Sequence, residues 1–140
     1  MPRKEVMFAQ PLSAAAVYGR VAVETGIADA QPVQLLIMVY EGAIEALARA
    51  AGLMRAGDVP AKNAAITRAI RIIDEGLKAT LDHRAGDIGA RLAELYDYMT
   101  HRLLLANLRS DAALIDEVRE LLVEIKGAWD EVANRDRAKA

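Results

Sequence analysis

Apolar residues recur at spacings of three and four along almost all of this 140-residue chain, and this periodicity restricts its fold most strongly. Successive residues of an α-helix are rotated by about 100°, so this spacing gathers the apolar side chains into one stripe. No window shows the sustained alternation of apolar and polar residues that is typical of a β-strand. The sequence therefore predicts an all-α protein.

Five helical segments follow from the apolar stripes and from the residues that begin or end a helix. They are predicted at residues 13–25, 32–56, 60–82, 87–108 and 111–134. Asp87 and Asp111 can accept hydrogen bonds from the free N–H groups of a first turn. Pro32 and Pro60 fit a first turn, where the N–H that proline lacks has no partner to lose.

The links between the four long segments are short by these boundaries. Short links force consecutive helices to fold back on each other, which gives an antiparallel up-down four-helix bundle. The segment at 13–25 is a short extra N-terminal helix that is not stable alone. We expect one domain over residues 1–140, with residues 1–12 and 135–140 as flexible tails.

Composition excludes several classes of function. The chain has no cysteine, which excludes a disulfide scaffold, a thiolate metal site and a cysteine nucleophile. Its 18 basic and 20 acidic residues nearly balance, and aromatic residues make up 4%, so we expect no nucleic-acid partner. The longest strongly apolar run, residues 35–40, is far short of the roughly 20 residues that span a bilayer, so no membrane insertion is expected.

The sequence offers no metal site and no catalytic residue that we can assign. A di-metal bundle needs Glu-x-x-His pairs, and neither His83 nor His101 lies three residues after a glutamate. There is no glycine-rich phosphate loop and no Gly-x-Ser-x-Gly motif. One enzymatic alternative stays open, a phosphotransfer bundle that uses His83, although the lysine of the His-x-x-Lys-Gly signature is absent after it.

Apolar residues beyond those that one buried face requires are the most informative feature. The apolar arc of the helix at 32–56 covers about 200°, twice the width of one buried face, and Met38 lies outside even that arc. A central position in the bundle would also explain a wide arc. Leu104 and Leu108 lie one turn apart on the polar side of the helix at 87–108.

The helix at 60–82 has a second strip beside its core stripe. This strip consists of Ala65, Ala69, Ile72 and Gly76. Its small residues would let another helix approach closely, and a glycine in a helix interior suggests a packing reason. Apolar surface of this kind marks a docking site for an amphipathic helix, and the segment at 13–25, with Tyr18 and Val21, could cover such a groove.

Several short segments carry a resemblance to a known protein family. They are residues 18–25, 34–43, 62–82 and 92–99, followed by Asn107, Asp111, Val118, Leu121, Leu122 and Trp129. In this order and at this spacing they resemble the FliS family of flagellar export chaperones, which are specific for flagellin. The resemblance runs from Tyr18 to Trp129, nearly the whole chain.

The resemblance implies a cytoplasmic protein without enzymatic activity or cofactor. Such a protein binds the C-terminal region of flagellin, prevents premature polymerisation and assists delivery to components of the flagellar export apparatus. Tyr18 matches the tyrosine that the family places at the client surface. We predict that the partner-binding residues are Tyr18, Val21, Met38, Ala65, Ala69, Ile72, Leu104 and Leu108. A homodimer that uses these apolar surfaces on itself is a further alternative.

Overall fold

The computed structural model describes residues 32–81 and 86–139. Their four helices are α1 at Pro32–Ala56, α2 at Val59–Arg71 with a π-helical continuation at Ile72–Lys78, α3 at Asp87–Arg109 and α4 at Ala112–Lys139. No strand occurs in this part of the chain, so the all-α prediction is confirmed. The helix predicted at 13–25 lies outside the described residues.

Side-chain contacts between the helices show that neighbours run antiparallel. Lys62–Asn107 and Lys78–Asp97 join α2 to α3, Arg102–Glu117 joins α3 to α4, and Arg55–Asp116 and Lys126–Glu41 join α4 to α1. Wherever two contacts join a pair of helices, residue numbers rise along one helix as they fall along the other. Since α1 also packs on α2, the four helices form the predicted up-down bundle, with α4 returning beside α1.

The link between α1 and α2 is built from residues that the sequence marks. Gly57 ends α1 with a φ of +80°, a left-handed conformation that glycine adopts without steric cost. The Asp58 side chain then accepts a hydrogen bond from the backbone N–H of Ala61 at 3.2 Å and caps α2. Pro60 lies in the first turn of α2, as predicted.

The starts of α3 and α4 differ in how they are capped. The Asp111 side chain accepts a hydrogen bond from the N–H of Ala113 at 3.0 Å, so the predicted cap of α4 is confirmed. The predicted cap of α3 is wrong, because Asp87 is already helical. Gly86 takes the cap position with a φ of +66° and no side-chain hydrogen bond.

The core is formed by the predicted stripes of all four helices. The largest fully buried side chains are Tyr40, Leu47, Ile66, Ile73, Leu77, Tyr96, Met99, Leu103, Ile115, Val118 and Leu122. The hydroxyls of Tyr40 and Tyr96 hydrogen-bond to each other across the bundle between α1 and α3. Ile88 lies four residues before Leu92, a spacing that predicts the same helix face, but it is 69% exposed in the first turn of α3.

Two helices differ from their predicted course. The second half of α2 widens into a π-helix over Ile72–Lys78, where the N–H of Ala79 donates to the carbonyl of Asp74, five residues back, at 2.9 Å. The last helix continues to Lys139, so residues 135–139 are helical where the sequence suggests the beginning of a tail.

Candidate functional site

The predicted partner-binding residues fall into four pairs. Tyr18 and Val21 lie outside the described residues. Met38 in α1 and Ile72 at the start of the π-helical continuation of α2 are half-buried. The remaining four separate into two buried alanines on α2 and two exposed leucines on α3.

Gly42 lies beside the half-buried pair, and we call the three residues Met38, Gly42 and Ile72 the α1–α2 notch. Met38 lies one turn before Gly42 on the same face of α1. A β-carbon at Gly42 would lie 3.9 Å from the Cδ1 of Ile72, an ordinary van der Waals distance. The notch is therefore an apolar feature at the edge of the bundle that includes two of the predicted contacts.

The same two helices meet much more closely at Gly76. A β-carbon at Gly76 would lie 2.9 Å from the Cγ1 of Val39, closer than real β-carbons approach another atom. The predicted packing reason for this glycine is therefore confirmed. The helix that approaches it is α1 of the same bundle, not a partner protein.

Ala65 and Ala69 belong to the core rather than to an open groove. Their exposed fractions are 7% and 0%, and both are part of the buried cluster. In this structure their side chains do not offer a surface to a partner. The sequence identified their face of α2 correctly but could not show that this face is covered within the chain.

Leu104 and Leu108 form an exposed apolar surface on α3. Their exposed fractions are 55% and 81%, high values for large apolar side chains. They lie on the side of α3 that also contains Asp97 and His101, and Asp97 pairs with Lys78 of α2 at 2.7 Å. The polar surface formed by Asp97 and His101 is therefore followed along α3 by an apolar surface formed by the two leucines. The sequence prediction that both leucines lie outside the core is confirmed.

Two polar clusters flank α3. On the α2 side, burial raises the pKa of the Asp74 carboxyl, and a hydrogen bond from Thr100 opposes that shift. On the α4 side, hydrogen bonds from Tyr98 and Arg102 lower the pKa of Glu117. Both clusters pair their charges internally, so they tie α3 to its neighbours.

Lys62 is a polar feature that sequence reasoning missed. It is 6% exposed, and its Nζ donates a hydrogen bond to the Oδ1 of Asn107 at 2.8 Å. A signal was present, because Lys62 lies four residues before the core residue Ile66 and hence on the same helix face. The contact fixes the first half of α2 to the end of α3, close in sequence to Leu108.

The described residues contain no grouping that suggests metal chemistry or membrane insertion. Residues 32–81 and 86–139 bring no three histidine or carboxylate side chains together in a way that could hold a metal ion. Nor is any helix in these ranges long and apolar enough to cross a membrane. His83, on which the phosphotransfer alternative depends, lies outside the described residues.

A small helical bundle with large apolar side chains at its surface is typical of a protein that binds other proteins. Comparison with known proteins identifies the family to which the chain belongs. The family described as Flagellar protein FliS matches residues 14–136, and the chain belongs to this family. The resemblance seen in the sequence is thereby confirmed.

Similar proteins from three bacteria carry a consistent name. The flagellar secretion chaperone FliS of Salmonella typhimurium is 50% identical over 117 residues, which cover 83% of this chain and 87% of that protein. The flagellar secretion chaperone FliSB of Pseudomonas aeruginosa is 40% identical over 118 residues, 84% of this chain and 93% of that protein. FliS of Escherichia coli is 37% identical over 115 residues, with coverages of 81% and 85%. The chain is therefore a flagellar export chaperone.

Proposed function

We propose that this chaperone binds the C-terminal region of flagellin in the cytoplasm, prevents its premature polymerisation and assists its delivery to the flagellar export apparatus. The observation that carries the proposal is the exposure of Leu104 and Leu108 on a chain of the FliS family. Exposed apolar patches on soluble proteins mark partner sites, and an amphipathic helix is the partner that suits a helical surface.

The proposed contacts are the surface residues of the sequence prediction. Leu104 and Leu108 provide one apolar surface on α3, and Met38 and Ile72 provide another at the α1–α2 notch. Tyr18 and Val21 are proposed as further contacts on the grounds of the family resemblance and the apolar pattern. Ala65 and Ala69 are buried in the core, so they are not part of the proposed contact surface.

Reversible binding follows from the physics of such a client. A client segment that becomes helical only when it is bound loses conformational entropy at that moment, and this cost offsets part of the apolar contact energy. The complex can then be specific without being irreversible. Release at the export apparatus requires such a balance, and neither a cofactor nor a catalytic step is part of the proposal.

The direct test is isothermal calorimetry of the purified chain with a peptide from the C-terminal region of flagellin. A peptide from the central region of flagellin serves as the control. We expect saturable binding of one C-terminal peptide per chain and suppression of flagellin polymerisation, measured by light scattering, at equimolar chaperone. Absence of binding, combined with concentration-dependent self-association, would favour the homodimer alternative.

A further inference from the structure

Lys62 is a buried cation that has only a neutral hydrogen-bond partner. It is 6% exposed, and its Nζ donates to the Oδ1 of Asn107 at 2.8 Å. Within residues 32–81 and 86–139, the Nζ forms no ion pair with a carboxylate. Buried charges in proteins are normally paired, because the cost of taking an ion out of water is large. An ammonium has three N–H donors, so Lys62 retains donors for an anion.

The two other lysines whose side chains are described follow the usual rule. The Nζ of Lys78 lies 2.7 Å from the Oδ1 of Asp97, and the Nζ of Lys126 lies 2.9 Å from the Oδ2 of Asp130. Both of these lysines are more exposed than Lys62. The lysine that most needs a counter-charge is therefore the one that lacks it in this part of the chain.

The ends of the neighbouring helices do not replace the missing counter-charge. Lys62 lies at the start of α2, and Asn107 lies in the last turn of α3. A helix N-terminus carries a partial positive charge and a C-terminus a partial negative one, so these two antiparallel ends largely cancel. Asp58 and Asp111 are close in sequence to this contact, but their carboxylates cap α2 and α4. The charge of Lys62 thus remains without an opposite charge among the described residues.

Asn107 brings the ammonium to the border of the exposed apolar surface on α3. With a rotation of about 100° per residue, Leu103 lies about 40° to one side of Asn107 and Leu104 about 60° to the other. Leu103 is fully buried, whereas Leu104 is 55% exposed, and Leu108, which follows Asn107 directly, is 81% exposed. A buried cation therefore lies beside the surface that is proposed to bind the client. Charge complementarity at this border favours an anion on the partner.

Resting on the proposed function, we propose that Lys62 binds the terminal α-carboxylate of flagellin and is a specificity-determining residue of the client site. An apolar helix face that packs on Leu104 and Leu108 turns the acidic side chains of the client away from them. The chain end is different, because its carboxylate belongs to the backbone and can turn towards the bundle. Capture of a C-terminal carboxylate is a common mode of peptide recognition. The long, flexible stem of Lys62 lets the ammonium reach the border while α2 stays in place.

The first measurement compares two forms of one peptide, the C-terminal segment of flagellin as the free acid and as the C-terminal amide. In calorimetry with the wild type, we expect the free acid to bind at least about tenfold more tightly, because amidation breaks a partly buried charge pair. Two general effects work in the opposite direction. The chaperone has a net charge of −2, which repels an added carboxylate, and amidation favours a helical peptide by removing a negative charge from its C-terminal end. A preference for the free acid therefore indicates a local cation.

Substitutions then assign the preference to Lys62. Lys62→Gln removes the charge and keeps an N–H donor for Asn107, so we expect the free acid and the amide to bind within about twofold of each other. Lys62→Arg keeps the charge and should keep a preference for the free acid. Lys78→Met is the matched control, because it removes a lysine of α2 whose charge is already paired with Asp97, and it should keep the wild-type ratio. Thermal melting shows whether each variant is folded.

The outcomes separate this proposal from the proposed function. Equal affinity of the free acid and the amide for the wild type would overturn the role of Lys62 and leave client binding intact. A preference that persists in Lys62→Gln would also overturn it, because the cation would then lie elsewhere. If neither form binds the wild type, the proposed function itself is contradicted. The comparison on the wild type needs no substitution, so it remains decisive even if Lys62→Gln does not fold.

Discussion

Gly76 and Gly52 both lie in helix interiors, yet the same substitution should change stability in opposite directions at the two positions. Gly76→Ala forces a β-carbon against Val39, whose β-branched side chain has little rotational freedom in a helix. We expect a loss of about 1–3 kcal/mol in the free energy of unfolding. Gly52→Ala meets no atom of the described residues within 4 Å and should gain about 0.5–1 kcal/mol. Urea unfolding measures both, and a gain at Gly76 would contradict the close approach.

Asp74 should make stability depend on pH in the direction opposite to that of a typical carboxylate. Burial raises its pKa in the folded chain, so folding favours the protonated form. The favourable contribution of Asp74 to the free energy of unfolding is fully present below the pKa that the group has in the unfolded chain. It is lost as the pH rises through the higher pKa of the folded chain. Asp74→Asn should therefore melt higher than the wild type at pH 7, and the difference should shrink as the pH falls to about 3.

Glu117 provides the matched control of opposite sign. Hydrogen bonds from Tyr98 and Arg102 lower its pKa, so its contribution is present at neutral pH and is lost as the pH falls through the folded value. Glu117→Gln should melt lower than the wild type at pH 7. If the Asp74 and Glu117 variants shifted the melting temperature in the same direction at pH 7, the opposite pKa shifts described for the two carboxyls would be contradicted.

The helices themselves were the most predictable part of the molecule. Local signals set their ends, as at Gly57 and Asp111, because a cap depends on a few neighbouring residues. The π-helical segment could not be predicted, since the spacing from Ile66 through Ile73 to Leu77 also fits an ordinary α-helix. The segment that widens contains Gly76, where Val39 of α1 approaches closely, and periodicity carries no information about that contact.

The register of α4 gives a prediction at the level of a whole helix. Leu121 and Leu122 are adjacent in sequence, but Leu122 is fully buried and Leu121 is only half-buried. Leu122→Ala should cost about 2–5 kcal/mol of stability because it leaves a cavity in the core. Leu121→Ala should cost less, since the surrounding chain and solvent can fill part of the space. Equal costs in urea unfolding would mean that α4 is rotated relative to this description.

The whole bundle explains why only part of the candidate site could be predicted. A helical pattern shows which side chains share a face, and it correctly placed Leu104 and Leu108 outside the core. The pattern does not show which faces are covered by neighbouring helices. Ala65 and Ala69 were therefore predicted to contact a partner, although both are buried in the core of the bundle.

The two exposed leucines are the part of the bundle surface on which the proposed function depends most. Both can be replaced without loss of core packing, and substitutions at such surface positions usually change stability by less than about 0.5 kcal/mol. Val123 on α4 is also an exposed apolar residue, at 48%, but it lies outside the proposed site. Val123→Asp is therefore a control for the general effect of adding a charge to an apolar surface position.

The most direct measurement is the affinity of the flagellin C-terminal peptide for three forms of the chain, determined by calorimetry. These are the wild type, the double variant Leu104→Asp with Leu108→Asp, and Val123→Asp. We expect the double variant to lose about 2 kcal/mol or more of binding free energy, roughly a thirtyfold weaker affinity, while Val123→Asp stays within about twofold of the wild type. Equal affinity of all three folded proteins would contradict the claim that the α3 leucines bind the client.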